Sequence, residues 1–174
     1  MALRIARRAA ALLLATGLMA PGGGAVAGPA QPPSAAEQVP FAVIVNRSNP
    51  MESIGKAELR TLFLGDRTTW PHGRRVTLVL REPGQAERTA ALRLIYGMSE
   101  ADMARHFIHQ TFSGSAAAGP RAMATPEGVK RFVFNVPGAI GVIRLADVDD
   151  TVKVLRINGA APGDPHYVLV MRES

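Results

Sequence analysis

The stretch Glu58-Leu-Arg-Thr-Leu-Phe-Leu-Gly65, which runs on to Trp70-Pro-His-Gly73, carries the clearest structural signal of the chain. Leu59, Leu62 and Phe63 are spaced as i, i+3 and i+4, which places them on one side of a helix. Gly65 follows where a helix commonly ends in the left-handed conformation. The stretch therefore predicts a short amphipathic helix over residues 56–64, followed by a turn.

A second stretch, Pro137-Gly-Ala-Ile-Gly141, lies about seventy residues further along the chain. Its Pro-Gly pair favours a tight turn, and the apolar residues that follow predict a buried strand over 139–143. Near the start of the predicted domain, Phe41-Ala-Val-Ile-Val45 is a continuous apolar run with β-branched residues. Such a run predicts a strand that is buried on both faces.

Further helices and strands alternate between and after these stretches. Capping and stop signals predict one helix that ends at Gly97, one that is capped by Ser99, and one that is capped by Thr125. The helix that is capped by Ser99 is expected to face inward through Met103, Phe107 and Ile108. Additional strands are predicted over 76–80, 152–157 and 167–171. Alternation of this kind predicts an α/β fold with a mixed sheet flanked by helices.

The N-terminus is typical of a signal peptide. Arg4, Arg7 and Arg8 precede the uncharged segment 9–20, and Ala25-Val26-Ala27 supplies small residues for cleavage. We therefore predict a cleaved signal peptide over 1–27, a flexible Pro- and Ala-rich leader over 28–39, and a domain over 40–174. The expected location after cleavage is the periplasm or the extracellular space.

Composition excludes several classes of function. The net charge of +6 falls to +3 when the three arginines of the signal peptide are removed, and the remaining basic residues are scattered, so we expect no nucleic-acid surface. The chain has no cysteine, which excludes disulfides, thiolate metal sites, a cysteine nucleophile and a lipid-anchoring cysteine. No second apolar stretch is long enough to span a bilayer, so no membrane insertion is expected after cleavage.

Five motifs in order resemble one known family. They are Val43-Ile-Val-Asn-x-Ser-Asn-Pro50, Glu58-Leu-Arg-x-Leu-Phe-Leu-Gly65, Trp70 with Gly73, Arg81-x-x-Gly84, and Asn135-Val-Pro-Gly-Ala-Ile-Gly-Val142. Together they resemble the phosphate ABC transporter substrate-binding proteins, in a short form, over most of residues 41–157. The resemblance implies a reduced type II periplasmic-binding-protein-like α/β fold.

The resemblance also implies a function and a site. It implies non-enzymatic binding of phosphate or a related oxyanion, through helix-start N–H groups and the residues Ser48, Arg81, Gly84 and Gln85. A transporter membrane component or another envelope protein is the implied partner. The relatives carry an Arg-x-x-Gly-Ser-Gly-Thr type of loop, whereas this chain has Gln85-Ala-Glu87 after the glycine. The relatives' first-lobe segment has no counterpart here.

Alternatives remain open at several positions. The whole domain could be a ligand-free protein-interaction module built on the same reduced fold. Ser113-Gly114-Ser115 has the composition of an anion nest, although a linker is the favoured interpretation. A turn that leads into Pro50 is the favoured interpretation of Ser48, and an ordinary loop arginine is that of Arg81. Trp70 is interpreted as packing the turn rather than stacking on a ligand.

Catalytic and metal chemistry have little support in the sequence. His106 and His109 are spaced as i and i+3 on a predicted helix and could share a metal with Asp102, but two polar residues on a solvated helix face is the favoured interpretation. No nucleophile elbow, distinctive carboxylate pair or phosphate-binding P-loop is found. We therefore predict no catalytic residue, no metal and no cofactor.

Overall fold

The computed structural model of the protein describes residues 38–112 and 118–172. The predicted signal peptide, most of the leader, and Ser113-Gly114-Ser115 lie outside these residues. The strands are β1 Gln38–Val45, β2 Ser53–Ile54, β3 Thr77–Arg81, β4 Arg121–Met123, β5 Ala139–Arg144, β6 Lys153–Val154, β7 Arg156–Ile157 and β8 Val170–Arg172. The helices are α1 Lys56–Leu64, α2 Ala86–Ala91, α3 Glu100–Phe112 and α4 Pro126–Asn135. A π-helical turn over Leu92–Tyr96 continues α2.

One six-stranded sheet organises the domain. Its main order is β4-β3-β5-β1-β6, and β8 also pairs with β1. β3 runs parallel to β4 and β5, whereas β1 runs antiparallel to β5, β6 and β8. β2 and β7 form a separate parallel pair. The sheet is therefore mixed, as predicted, and β1 lies in its interior.

Helices cover both faces of this sheet. Alternate residues of β1 such as Phe41 and Val43 belong to a core that also contains side chains of α1, α2 and α3. The intervening residues Ala42 and Ile44 pack with Val129 and Val133 of α4 in a second core. Because both faces of β1 are covered, its apolar run is buried throughout, which confirms the prediction of a strand buried on both faces.

Local capping signals define the helix ends. α1 spans the predicted residues, and Gly65 adopts φ 77° while its N–H bonds the carbonyl of Leu62. Before α3, the Asp102 N–H donates to Ser99 Oγ at 3.2 Å and the Ser99 N–H donates to Asp102 Oδ2 at 3.4 Å. At α4, the Gly128 N–H donates to Thr125 Oγ1 at 3.0 Å. These three predicted helix ends are confirmed, as is the fourth at Gly97, which adopts φ 68°.

Several predicted boundaries differ from the structure. β1 begins at Gln38 rather than Phe41, because residues 38–40 pair with β8, so the last two residues of the predicted leader belong to a strand. The predicted strand over 152–157 is divided into β6 and β7 around Leu155. β6 pairs with β1 and β7 pairs with β2, so the chain changes partner within this stretch.

The prediction that Ile108 faces inward is wrong. α3 packs through Met103 and Phe107, which are 3% and 8% exposed, whereas Ile108 is 57% exposed. Met103 and Phe107 are four residues apart and lie on one helix face, and the next residue is rotated by about 100° from Phe107. Ile108 therefore projects away from the core, as does Phe112 at the end of the helix.

The stretch around Trp70 and the Pro137-Gly138 turn lie next to each other in space. Trp70 is 1% exposed, and its Nε1–H donates to the Gly138 carbonyl at 3.1 Å. The Thr77 N–H donates to the same carbonyl at 3.1 Å. Trp70 thus packs the turn after α1 against the turn before β5, which agrees with its interpretation as a packing residue.

No helix in residues 38–112 or 118–172 combines the length and the apolar character needed to cross a bilayer.

Candidate anion-binding site

Arg81, Gly84 and Gln85 lie together where β3 ends and α2 begins. Arg81 is the last residue of β3, and Gly84 adopts φ 86° in the turn that follows. Gln85 has extended backbone geometry immediately before α2. Arg81 Nη2–H donates to Gln85 Oε1 at 2.9 Å. Three of the four predicted site residues therefore share one location.

The Arg81 guanidinium is buried and incompletely satisfied. Its side chain is 8% exposed, and its Nε lies 3.5 Å from Glu87 Oε2, whose side chain is 6% exposed. Nη1 of Arg81 is buried and has no hydrogen-bond partner among residues 38–112 and 118–172. Burial of an unpartnered donor on a charged group is costly. Nη1 is therefore the donor of the site that is available to an additional hydrogen-bond acceptor.

Glu87 lies between two guanidinium groups. Its Oε2 faces Arg81, and its Oε1 is 4.0 Å from Nε of Arg144 at the end of β5. β3 and β5 are adjacent parallel strands, so both arginines lie at the same end of the sheet. The sequence places Glu87 six residues after Arg81, where its charge would oppose an anion. Its burial between two arginines follows from the pairing of β3 with β5.

Arg88 ties the same region to α3. It is 6% exposed, and its Nε and Nη2 donate to the two carboxylate oxygens of Glu100 at 2.7 and 2.5 Å. Its Nη1 donates to the carbonyl of Arg81 at 3.1 Å. This bidentate pair holds the pKa of Glu100 below its usual value. Sequence analysis missed Arg88, because the residue that pairs with it is twelve positions away on another helix.

Tyr96 lies close enough to Arg88 and Glu100 to feel their charges. Its hydroxyl is buried and has no hydrogen-bond partner in the described part of the chain. Burial raises the pKa of the Tyr96 phenol far above its ordinary value, and the nearby Arg88 opposes this shift. The phenol therefore stays neutral and contributes no charge to the site at physiological pH.

The Arg88–Glu100 pair gives a pH-dependent prediction. Because folding lowers the pKa of Glu100, the pair contributes stability above the carboxyl's unfolded pKa, and that stability is lost as the pH falls through the lowered folded pKa. We expect Glu100→Gln to reduce the free energy of unfolding by about 1 kcal/mol at pH 7, since the partly exposed carboxylate is screened by solvent. The difference from wild type should shrink towards pH 3 in urea titrations.

The matched control for this variant is Glu82→Gln, which removes an exposed carboxylate near the same loop. We expect Glu82→Gln to change the free energy of unfolding little at either pH. Equal losses from Glu100→Gln at pH 7 and pH 3 would contradict a stabilising ionised pair.

Ser48 lies at the opposite end of the sheet from Arg81. β1 is antiparallel to β5, and Val45 pairs with Ile140 near the start of β5. The pairing of β3 with β5 places Arg81 about three residues, or roughly 10 Å, further along the strands. Ser48 follows Val45 beyond that far end, so one small anion cannot contact both Ser48 and Arg81.

Local contacts account for Ser48 without a ligand. Its Oγ–H and N–H both donate to Asn46 Oδ1, at 2.8 and 2.9 Å, and Arg74 Nη1–H donates to Ser48 Oγ at 3.3 Å. This is an Asx-type turn, the alternative that the sequence left open. The proposed site therefore rests on Arg81, Gly84 and Gln85.

The histidines of α3 do not form a metal site within the described residues. His106 Nε2 lies 2.8 Å from the carbonyl of Leu64 at the end of α1, whereas His109 is exposed. No group of three His, Cys, Asp or Glu side chains in residues 38–112 and 118–172 is arranged to hold a metal. His106 instead contacts a carbonyl at a helix C-terminus, which also accepts a hydrogen bond from Gln110 Nε2 at 2.9 Å.

A cavity of about 240 Å³ lies near the other end of β3. Arg67, Arg75 and Arg121 line it together with apolar side chains such as Leu62 and Leu78. Arg67 is already bonded to Glu58 at 2.6 Å and is partly exposed. The charges here reach solvent, unlike the buried guanidinium of Arg81, so this cavity is a weaker candidate for a built anion site.

The described residues form an α/β domain with helices on both faces of a mixed sheet. Solved structures share this fold. An ABC-type phosphate transport receptor from Vibrio cholerae superposes with a TM-score of 0.63 at 20% identity, over 76% of this chain and 54% of that protein. PstS from Borrelia burgdorferi gives a TM-score of 0.60 at 13% identity, over 78% and 55% of the two chains.

A third similar structure contains its ligand. It is a protein from Clostridium perfringens, assigned as a phosphate ABC transporter substrate-binding protein, with bound phosphate; its TM-score is 0.58 at 20% identity, over 71% of this chain and 47% of that one. No family model matches the chain. The chain spans about half the length of these relatives. The likeness confirms the predicted α/β fold with a mixed sheet flanked by helices.

Proposed function

We propose that this protein is an exported, non-enzymatic substrate-binding domain that recognises a small oxyanion, with phosphate as the first candidate. The observation that carries this proposal is the buried guanidinium of Arg81, one nitrogen of which has no partner in the part of the chain that the structure describes. The solved neighbours are named as phosphate-binding proteins and not as enzymes, which supports the same class of function.

The backbone around Arg81 suits an anion. The chain remains helical from Ala86 through Tyr96, so the first N–H groups of α2 lack intrahelical partners and present partial positive charge. At Gly84, a Cβ would meet no heavy atom within 4 Å, so the backbone there is open to approach. An oxyanion could accept bonds from these N–H groups while Arg81 supplies the counter-charge.

Export and partnership belong to the same proposal. The predicted signal peptide over 1–27 would deliver the domain to the periplasm or outside the cell. A transporter membrane component is the proposed partner, because the similar proteins are named as parts of ABC-type phosphate transport.

Thermal unfolding of the mature protein tests the proposal. At a phosphate concentration ten times the dissociation constant, binding to the folded state should stabilise it by about 1.4 kcal/mol, which corresponds to a midpoint rise of about 4 °C. Arg81→Ala should abolish this rise, and Arg81→Lys should reduce it, because lysine keeps the charge but loses the planar fork.

The matched control is Arg93→Ala, which removes an exposed arginine from the helical segment that follows α2. It should leave the response to phosphate unchanged. No midpoint shift with phosphate, sulfate or other oxyanions would refute a receptor function. An unchanged shift in Arg81→Ala would place the anion elsewhere in the protein.

The second candidate function is a protein-interaction module of the envelope. Two observations favour it: Glu87 already faces Arg81, and Phe112 and Ile108 at the end of α3 are 88% and 57% exposed. Exposed large apolar side chains of this kind commonly mark a contact surface. A protein that shows no response to any oxyanion, but binds an envelope partner less well after Phe112→Ser, would support this alternative.

A further inference from the structure

Glu87 is a carboxylate placed inside the proposed anion site. It is the second residue of α2, it is 5% exposed, and it is the carboxylate found within ion-pair distance of Arg81 in the described part of the chain. We propose that Glu87 is a built-in counter-anion, which competes with external oxyanions for Arg81 and sets the affinity of the site. This inference rests on the proposed function, because it concerns the same guanidinium.

Glu87 lies close enough to Arg81 to offset its charge, but not close enough to form a strong hydrogen bond with it. The separations of 3.5 Å to Arg81 Nε and 4.0 Å to Arg144 Nε exceed the 2.7–2.9 Å of a good charge-assisted hydrogen bond. The bidentate Arg88–Glu100 pair nearby, at 2.7 and 2.5 Å, shows what a saturated pair looks like in the same region. Glu87 therefore supplies charge to Arg81 but leaves donor capacity unused.

The unused hydrogen-bond donor capacity of Arg81 can be assigned to one nitrogen. Nη2 of Arg81 bonds Gln85 and Nε faces Glu87, whereas the buried Nη1 has no partner within the described residues. An incoming oxyanion could accept from Nη1, but its charge would lie close to that of Glu87. Like charges that share a buried site repel each other strongly, because the surroundings screen them poorly. Weak binding in the wild type is the consequence.

Removing the charge of Glu87 reverses this balance. In Glu87→Gln the side chain keeps its size, but Arg81 becomes a buried cation without its counter-charge, which destabilises the fold. An external oxyanion can then supply that charge without competition. The variant should therefore be less stable than wild type without phosphate and should depend more strongly on phosphate for its stability.

The experiment compares phosphate titrations of wild type and Glu87→Gln by thermal unfolding and calorimetry, in chloride buffer. We expect Glu87→Gln to reach half-saturation at a phosphate concentration at least about ten-fold lower than wild type. If Glu87→Gln does not fold, Glu87→Asp serves instead. It keeps the charge but withdraws it from Arg81 by one methylene, and a smaller gain in affinity is expected.

Glu82→Gln, which removes an exposed carboxylate one residue after Arg81, is the matched control and should titrate like wild type.

The outcomes separate this inference from the proposed function. If wild type binds phosphate through Arg81 and neither Glu87 variant binds more tightly, the counter-anion inference is overturned and the proposed function stands. If only the Glu87 variants bind, the inference is supported, and the wild-type protein is not a phosphate receptor. If wild type and the variants all fail to bind phosphate or sulfate, both proposals are overturned.

Discussion

Gly138→Ala is expected to reduce the free energy of unfolding by about 3 kcal/mol or more, or to prevent folding. A Cβ at this position would lie 2.0 Å from the carbonyl oxygen of Arg75 and 3.2 Å from its carbonyl carbon. Both are backbone atoms, so no side-chain rotation relieves the clash. Moving the backbone would also disturb the Gly138 carbonyl, which accepts bonds from Trp70 Nε1 and from the Thr77 N–H.

Gly128→Ala is the matched control for Gly138→Ala. Gly128 lies in the first turn of α4, where an added Cβ would make only ordinary contacts at 3.5 Å or more. Alanine is a better helix former than glycine, so this variant should be neutral or stabilised by up to about 1 kcal/mol. Urea denaturation followed by circular dichroism measures both. A Gly138→Ala protein as stable as wild type would show that the close approach of these turns is not required.

Trp70→Ala is expected to cost about 3–5 kcal/mol, the usual range for removing a large buried aromatic side chain. Trp70 is 1% exposed and is among the largest fully buried side chains of the described residues. Its loss would leave a cavity between the turn after α1 and the start of β5. It would also leave the Gly138 carbonyl with one hydrogen bond fewer.

Trp70→Phe separates packing from hydrogen bonding. Phenylalanine keeps an aromatic ring at this position but cannot donate to Gly138, so its cost should be clearly smaller than that of Trp70→Ala. Trp70 is the single tryptophan of the chain, so circular dichroism must replace fluorescence as the probe in both variants. Comparable losses from the two variants would mean that the indole N–H, rather than the ring volume, carries the stabilisation.

Elements with local signals could be predicted from the sequence. α1 begins and ends at the predicted residues, because the i, i+3, i+4 stripe and Gly65 are encoded within ten positions. The caps at Ser99 and Thr125 are equally local. The turn at Asn158-Gly159 is local in the same sense, with φ of 52° and 83°, values that asparagine and glycine tolerate better than other residues.

Features that depend on strand pairing were not predictable in the same way. β2 and β4 are two and three residues long and show no alternating pattern, so only their partner strands identify them. The sequence analysis assigned Ser48 and Arg81 to one site, but the two residues lie at opposite ends of the sheet. Their separation can be predicted only if β1 and β3 are known to run in opposite directions. Nothing in either segment encodes that direction, since a buried strand has the same apolar run in both orientations.

The sequence by itself determined the class of fold, the helix ends and the Trp70 and Gly138 motifs that identify the scaffold, because each depends on residues a few positions apart. The tertiary structure alone decided the chemistry of the site. It brought Arg81, Glu87 and Arg144 together at one end of the sheet and placed Ser48 at the other. Burial makes the interaction between Arg81 and Glu87 strong, because the interior screens charge far less than water does. It also leaves one nitrogen of Arg81 without an acceptor in the described residues.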